Sequence, residues 1–463
     1  MAIKPFINFR LIFFVLAIAL GLGLLLFSPA SLSTEESKTA ALVIIIISSW
    51  ATGIFHEHLT SLFFFFFAML FSIAPAQVIF SGFGTTVFWL VFGGLVIGIG
   101  ITDTGLGNRI AGKVVAYLDG SYFRLISGLV VMGILFAFLM PSPIGRVLLL
   151  IPIALKISSY FGFKKGSNGQ TGVILSVIVG TVVPAFAILP SNGVNMILAG
   201  LSETQFHISI LYGDYLFLNF PIFGILKALV IVFLILMLYP DKPKKNRTEE
   251  LIAAGPISSK ETVLFVIIIL LLALWMTDFI HKVSPAWISL GGAILLLIPG
   301  IQIVGTHEFN KKINFGSLFY LAGVLGVGGL VSHSGLGNVL ANKLIASLPF
   351  GVDKPFLNYV LLSLVSSFTG MIATLPGVPA VMTPIADSLS QVTGLPLKTV
   401  LMTQVLGFST IFFPYQIPSV VVGLQIAGEK LSVSAKLFLA LAVITYVFLL
   451  PINYFWWKLV GGI

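Results

Sequence analysis

The chain has 463 residues, 58% of them hydrophobic and only 9% charged, with no cysteine. Soluble domains carry about 25% charged residues, so this sequence cannot cover a water-exposed surface. With a mean hydropathy of +1.10, that excludes a soluble enzyme, a disordered chain and a disulfide scaffold. The formal charge of +9 is read as cytoplasmic Lys and Arg rather than as affinity for nucleic acid.

A membrane helix needs about 20 mostly apolar residues. In chain order, spans are predicted at 9–28, 40–55, 59–80, 85–102, 172–199, 214–240, 262–280, 286–304, 315–332, 400–427 and 435–457. The first begins after Lys4 and Arg10 without a convincing cleavage site, so it reads as a span or signal anchor. Two further apolar stretches, 122–157 and 355–392, differ. Their middles read FAFLMPSPIGRVLLLIPIA (136–154) and FTGMIATLPGVPAVMTPIA (368–386). Each is compatible with one span, a pair of spans or a re-entrant hairpin. Hairpins are preferred because the topology then closes, and broken backbone at membrane depth survives where protein or a watery cavity satisfies it. The fold class is therefore an all-α polytopic membrane protein, with about 11 transmembrane helices, two re-entrant hairpins, an inverted repeat and two broken helices.

Most of the 25 Lys and Arg then fall on the side of the amino terminus. Six lie on the other side: Lys38, Lys282, Lys343, Lys354, Lys398 and Lys458. That imbalance places the protein in the cell (inner) membrane with a cytoplasmic amino terminus and an outside carboxyl terminus. Five regions follow. Residues 1–84 are amino-terminal scaffold helices, and 85–240 are the first repeat, with hairpin 122–157 and broken helix 171–200. Residues 241–260 are a polar cytoplasmic linker, and 261–314 are further scaffold helices. Residues 315–463 are the second repeat, with hairpin 355–392 and broken helix 400–428.

The repeat is visible in the residues. GITDTGLGNRIAGKVV at 100–115 matches LVSHSGLGNVLANKLI at 330–345, so Gly105-Leu106-Gly107-Asn108 pairs with Gly335-Leu336-Gly337-Asn338. Upstream, Gly93, Leu95 and Gly98 pair with Gly323, Leu325 and Gly328. In the hairpins Phe136, Gly145, Pro152, Ile153 and Ala154 pair with Phe368, Gly377, Pro384, Ile385 and Ala386. An odd number of crossings separates equivalent segments, so the copies are inverted. Inverted repeats with interrupted helices are the pattern of secondary transporters, with the site near the bilayer midplane.

The interruptions are Pro190-Ser191-Asn192-Gly193 and Pro414-Tyr415-Gln416-Ile417-Pro418-Ser419. A helix broken mid-membrane exposes N–H groups that attract anions on one half and carbonyls that suit a hard cation on the other. The alternative for each break is a proline kink whose freed groups are bonded by Ser and Asn. Arg146, inside the first hairpin, has three readings: a fixed charge at an anion site, a structural cap on carbonyls at the tip, or an occupant of a coupling cation's place. Lys227 lies within the sixth span and either faces a cavity or snorkels. Asp103 and His333 occupy equivalent positions, as proton relays or as polar span ends. His56-Glu57-His58 reads as a solvated loop and a poor metal signal. The Gly-rich runs at 93–107 and 323–337 suit close helix packing. No phosphate loop or nucleophile elbow is present in the sequence, which argues against an enzyme and against ATP-driven transport.

These features resemble the divalent-anion:sodium symporters (sodium:sulfate and dicarboxylate symporters) of the ion transporter superfamily, along nearly the whole chain. That family has two Ser-Asn-Thr hairpin tips, each followed by a proline, and two unwound Pro-Pro-Asn-like turns. Aligned on Pro152, the first tip falls on Ser142, Pro143 and Ile144; aligned on Pro384, the second falls on Thr374, Leu375 and Pro376. Only the first hydroxyl residue of each tip is retained in kind. Pro190-Ser191-Asn192 is similar to the first unwound turn, and Phe413-Pro414-Tyr415-Gln416 to a Tyr-Gln version of the second. The resemblance implies an elevator-type homodimer in membrane lipid, with 106–118 and 336–348 as interfacial helices. It implies a symporter of a small anion such as a dicarboxylate, sulfate or related oxyanion, coupled to sodium or protons. The runners-up are a proton-linked anion or metalloid efflux permease and an anion channel. The candidate substrate-binding residues are Ser142, Pro143, Arg146, Asn192, Gly193, Thr374, Pro376, Gly377, Gln416 and Ser419. Ser142, Asn192 and Thr374 are the candidate sodium ligands. No other cofactor is expected, and no nucleic acid.

Overall fold

The computed structural model describes residues 4–27, 29, 32–116, 121–243, 256–372 and 374–463. Most of the predicted linker, 244–255, lies outside them. The described residues form helices and no strand, and nine of the helices are long and apolar enough to cross a membrane. Large apolar side chains such as Phe66, Phe217, Phe233 and Phe455 stand exposed on the outside of the bundle. Such a surface is solvated by hydrocarbon, not by water.

Several predicted spans change at their ends for local reasons. The span predicted at 40–55 runs Thr34–Thr52, started by a capping box between Ser33 and Glu36. The one predicted at 286–304 is Pro285–Leu297, stopped before Pro299 and Gly300. The stretch 59–80 divides into Glu57–Leu70 and a short Ala76–Ile79 turn.

The stretch 122–157 is a hairpin of two arms, Tyr122–Leu139 and Pro143–Tyr160. Both outer ends lie at one end of the bundle. The rings of Tyr122 and Phe163 meet edge-on at 5.8 Å. The Tyr122 hydroxyl donates to the carbonyl of Tyr239 at 2.8 Å, and Gly169 N–H to Asp241 Oδ2 at 2.8 Å. The second hairpin, Pro355–Ile372 with Gly377–Met382 and Ala386–Thr393, enters from the opposite end. There Asn358 Nδ2 donates to Thr393 O at 3.0 Å, tying entry to exit. Lys398 pairs with Asp214 at 3.0 Å and Trp457 Nε1 donates to Leu218 O at 3.0 Å. The two copies are thus inverted, and both hairpin tips point inward.

The matched glycines have matched jobs. Gly105 and Gly335 follow the helices Thr86–Thr104 and Phe315–His333 with φ of 81° and 80°, a left-handed turn that glycine adopts without penalty. The helices Leu106–Ala116 and Leu336–Ser347 then begin. Gly107 and Gly337 let these helices lie on the hairpins, because a methyl group there would meet Leu149 Cδ2 at 2.8 Å and Pro384 O at 3.3 Å. Gly93 and Gly323 each face a serine of another helix, Ser289 and Ser61, which is small-residue packing between membrane helices.

Two closing helices, Tyr212–Leu238 and Leu431–Leu459, each contain a π-helical stretch, Phe220–Leu226 and Thr445–Leu449. Pro221 and Pro451 account for them, since proline has no N–H and crowds the preceding turn. Carbonyls freed before Pro221 are met by the last helix. Trp456 Nε1 donates to Phe217 O at 3.1 Å, and Trp457 Nε1 to Leu218 O.

Candidate functional site

The first hairpin turns at Met140-Pro141-Ser142. Pro143 occupies the first position of the second arm, where its missing N–H costs nothing. Ser142 caps that arm, its Oγ accepting from Gly145 N–H at 3.1 Å. The second tip turns through Thr374, whose φ of 67° is strained for a β-branched residue.

The first broken helix comprises Asn168–Val182 and Gly193–Phe206. Its unwound backbone is pinned nearly group by group. Asn195 Nδ2 donates to Ala185 O at 3.3 Å and Ile188 O at 3.0 Å. The Tyr215 hydroxyl donates to Phe186 O at 2.7 Å. Arg146 donates to Thr181 Oγ1 (3.0 Å), Thr181 O (3.1 Å), Ser191 O (3.1 Å) and Met140 O. Asn192 caps the second half, accepting from Val194 N–H at 3.1 Å.

The second broken helix comprises Leu397–Phe408 and Pro418–Ala427. Fewer groups hold it. Lys227 Nζ donates to Ser409 O at 2.9 Å. Gln416 Oε1 accepts from Phe412 and Phe413 N–H at 2.9 and 2.8 Å, which leaves its amide nitrogen free to point elsewhere.

Tips and breaks meet at one cavity of about 250 Å³. Seven of the ten predicted site residues line it: Ser142, Pro143, Asn192, Gly193, Pro376, Gln416 and Ser419. The other three do not. Arg146 is fully buried beneath the first tip, its fork spent on carbonyls. Thr374 and Gly377 flank Leu375 and Pro376 but do not reach the lining. Of the sodium candidates, Ser142 and Asn192 reach the cavity while their oxygens cap helices, and Thr374 stands apart.

Positive helix ends face the cavity, and the carboxyl of Glu57 lines it as well. The helices starting at Pro143, Gly193 and Pro418 all open on it, presenting their positive ends. Gln416 Nε2 and Ser419 Oγ are buried without a partner among the described residues, although a buried polar atom normally has one. A substituent at Gly193 would enter open space. A volume of this size, below the usual range for drug-sized ligands, suits a small solute.

Sequence reading missed the opposite wall. Glu57 begins the helix Glu57–Leu70, and Ser317 and Tyr320 lie in the first turns of Phe315–His333. Glu57 is the middle of the His56-Glu57-His58 triplet, and only its placement distinguishes it from a loop charge. Asp103 pairs with Lys312 at 2.6 Å near the surface, and His333 is exposed. Arg109 on the connecting helix Leu106–Ala116 pairs with Glu261 at 2.9 Å, which raises the pKa of Arg109 through the hydrogen bond. Among the described residues, no group of three His, Cys, Asp or Glu is placed to hold a metal.

The model of the sodium:sulfate symporter transmembrane region matches residues 8–463. The chain belongs to this family. It is accordingly a membrane transporter of anions and not an enzyme. Among similar proteins, one from Cupriavidus necator described as a membrane protein is 24% identical over 402 residues, covering 83% of this chain and 77% of that one. The L-tartrate/succinate antiporters of Shigella sonnei and Escherichia coli K12 are 25% and 24% identical over 287 residues, covering 58% of this chain. The match spans only 58% of the antiporters' own length. Among solved structures, the Alcanivorax borkumensis YdaH transporter superposes with a TM-score of 0.58 at 13% identity, covering 88% of this chain and 99% of that one. That likeness concerns the fold.

Proposed function

We propose that this chain is a secondary carrier of a small dianion, a C4 dicarboxylate or an oxyanion such as sulfate, bound between the hairpin tips and the two breaks. The observation that carries the reading is the pair of unpartnered donors, Gln416 Nε2 and Ser419 Oγ, among three positive helix ends. The names of the antiporter relatives favour the dicarboxylate. Ser142, Pro143, Asn192, Gly193 and Pro376 form the rest of the anion's surroundings. Thr374 and Gly377 hold the second tip's shape, and Arg146 holds the first.

The carrier acts by alternating access. Each hairpin and its broken helix move as one body past the wall of Glu57, Ser317 and Tyr320, in the manner of an elevator. The helices Leu106–Ala116 and Leu336–Ser347 serve as connecting arms, and the protein works as a homodimer in lipid. Lys and Arg counts favour a cytoplasmic amino terminus. The driving force is a cation gradient, sodium or protons, or the countermovement of a second anion.

The test is uptake of radiolabelled succinate, and separately of sulfate, by proteoliposomes preloaded with the same unlabelled anion. Accumulation of label that is blocked by excess cold substrate is the expected result. Absence of saturable uptake across dicarboxylates, sulfate and other small oxyanions overturns the reading. Conductance at channel rates would replace it with a pore.

A further inference from the structure

Two negative charges held close together away from water disfavour each other, and a titratable one escapes by taking a proton. The cavity sets up this conflict. Its unpartnered donors, Gln416 Nε2 and Ser419 Oγ, belong to the second break, while Glu57 lines the same space from the opposite wall. Among the described residues Glu57 is the one charged side chain of the lining. A cavity of about 250 Å³ keeps any solute within a few ångströms of its walls. Much of the remaining lining is apolar, including Val91, Leu95, Ile144 and Leu375, so little there screens one charge from the other.

Nothing neutralises Glu57. Among the described residues its carboxylate has no ion pair and no hydrogen bond. Trp50 Nε1 and Ser61 Oγ donate to its backbone carbonyl instead, each at 3.1 Å. As the first residue of the helix Glu57–Leu70 it stands at a positive helix end, which favours the ionised form while the cavity is empty. The residue is exposed, so water can bring and remove a proton. Few other titratable groups surround it. Tyr320, from the helix Phe315–His333, shares the wall. His58 follows it in the chain, its ring stacked on that of His56 at 5.7 Å. Residues 39–52 of the helix Thr34–Thr52 and the short helix Ala76–Ile79 carry no ionisable side chain. The tips and breaks bring only Ser142, Asn192, Gln416 and Ser419 as polar side chains of the lining.

We propose that Glu57 sets the charge the cavity accepts: a dianion binds together with one proton, taken from water onto the Glu57 carboxyl and returned to water when the anion leaves. The inference rests on the anion site proposed above and adds the form in which that site takes its solute. Protonation also turns Glu57 from an acceptor that repels the anion into a donor that bonds it. The carboxyl is ionised in the empty cavity and protonated in the loaded one. Between those two titrations binding takes up a proton, so affinity falls as pH rises, by up to about tenfold per pH unit.

The test is calorimetric titration of the detergent-solubilised protein with sulfate and with succinate, from about pH 5.5 to 8, in pairs of buffers with different ionisation enthalpies. Sulfate stays dianionic throughout, so its Kd should rise with pH and the buffers should report matching proton uptake. Succinate gains a proton of its own toward the acid end, so for it the readout is the difference between wild type and Glu57→Gln. That variant keeps the side chain's size and supplies a donor. It should bind either anion about tenfold or more tightly than wild type at pH 8 and lose the proton uptake assigned to Glu57. Binding without proton uptake, or a Glu57→Gln protein that keeps the wild-type slope or binds more weakly, overturns the proposal and leaves the carrier reading intact. His58→Gln should keep the wild-type slope; its loss there assigns the proton to His58 and overturns the proposal too. Should Glu57→Gln not fold, the wild-type proton count and His58→Gln decide. If neither anion binds at any pH, the substrate reading falls and the proposal with it.

Discussion

The two broken helices carry out one architectural plan with different degrees of completion. In the first, Asn195, Tyr215 and Arg146 take up the carbonyls of Ala185, Ile188, Phe186, Thr181 and Ser191. Every residue of that turn from Pro184 to Ser191 is buried. In the second, Phe413 and Tyr415 are 44% and 58% exposed, and two buried polar groups, Gln416 Nε2 and Ser419 Oγ, end without partners. The first break thus has more of its backbone bonded by side chains than the second, although Asn195 Oδ1 there is also buried without a partner among the described residues. Both breaks reach the cavity, the first through Asn192 and Gly193 and the second through Gln416 and Ser419, and on the reading proposed above the donors kept in reserve for a solute belong to the second.

Three substitutions sharpen or break that contrast. The largest effect is expected from Gln416→Glu. A carboxylate keeps the acceptor that receives Phe412 and Phe413 N–H, but replaces the free donor with a negative oxygen facing the anion. A hydrogen bond to a charged group is worth about 1.5–3 kcal/mol, and like-charge repulsion adds to its loss. Affinity should fall by about 100-fold or more with the melting temperature nearly unchanged. A variant that unfolds instead would make Gln416 a strut. Asn195→Ala, behind the lining of the cavity, should do the reverse. It removes one of the two donors at the carbonyls of Ala185 and Ile188, which keep the N–H groups of Ile188 and Ser191, at about 0.5–1.5 kcal/mol for each lost bond, so detergent stability should drop while KM for the transported anion holds. A large change in KM at normal stability would mean that Asn195 itself handles solute. The smallest effect is expected from Gly335→Ala, which forces a side chain into φ of 80°. The cost should be about 1 kcal/mol of stability, with Gly105→Ala matching it if the two turns are true counterparts.

Much of the architecture was legible from the sequence because its causes are local. Prolines at 141, 143, 376 and 379 mark where backbone donors are missing, and the GLGN copies at 105 and 335 mark identical turns seen from opposite sides. The cavity was partly legible for the same reason, as Ser142, Asn192, Gln416 and Ser419 sit at those breaks. What stayed hidden depends on distant partners. Arg146 has three sequence-level readings until the carbonyls 35 and 45 residues away are placed around it. Lys227 meets an oxygen 182 residues along the chain, and no periodicity announces that. Glu57, Ser317 and Tyr320 lie near the starts of the helices Glu57–Leu70 and Phe315–His333, where no break marks the sequence, so nothing local marked them as a wall. The regional division at 84, 240, 260 and 314 rests on composition and the repeat alone.

The indoles of Trp456 and Trp457 carry a mechanical consequence. Each plugs a carbonyl beside Pro221, at Phe217 and Leu218. Sliding the last helix along its neighbour by a single turn would unplug both at once and strand two polar groups in hydrocarbon. The pair therefore behaves as a keyed joint: the two closing helices can tilt or travel together, whereas shear between them costs both bonds, about 1–3 kcal/mol each.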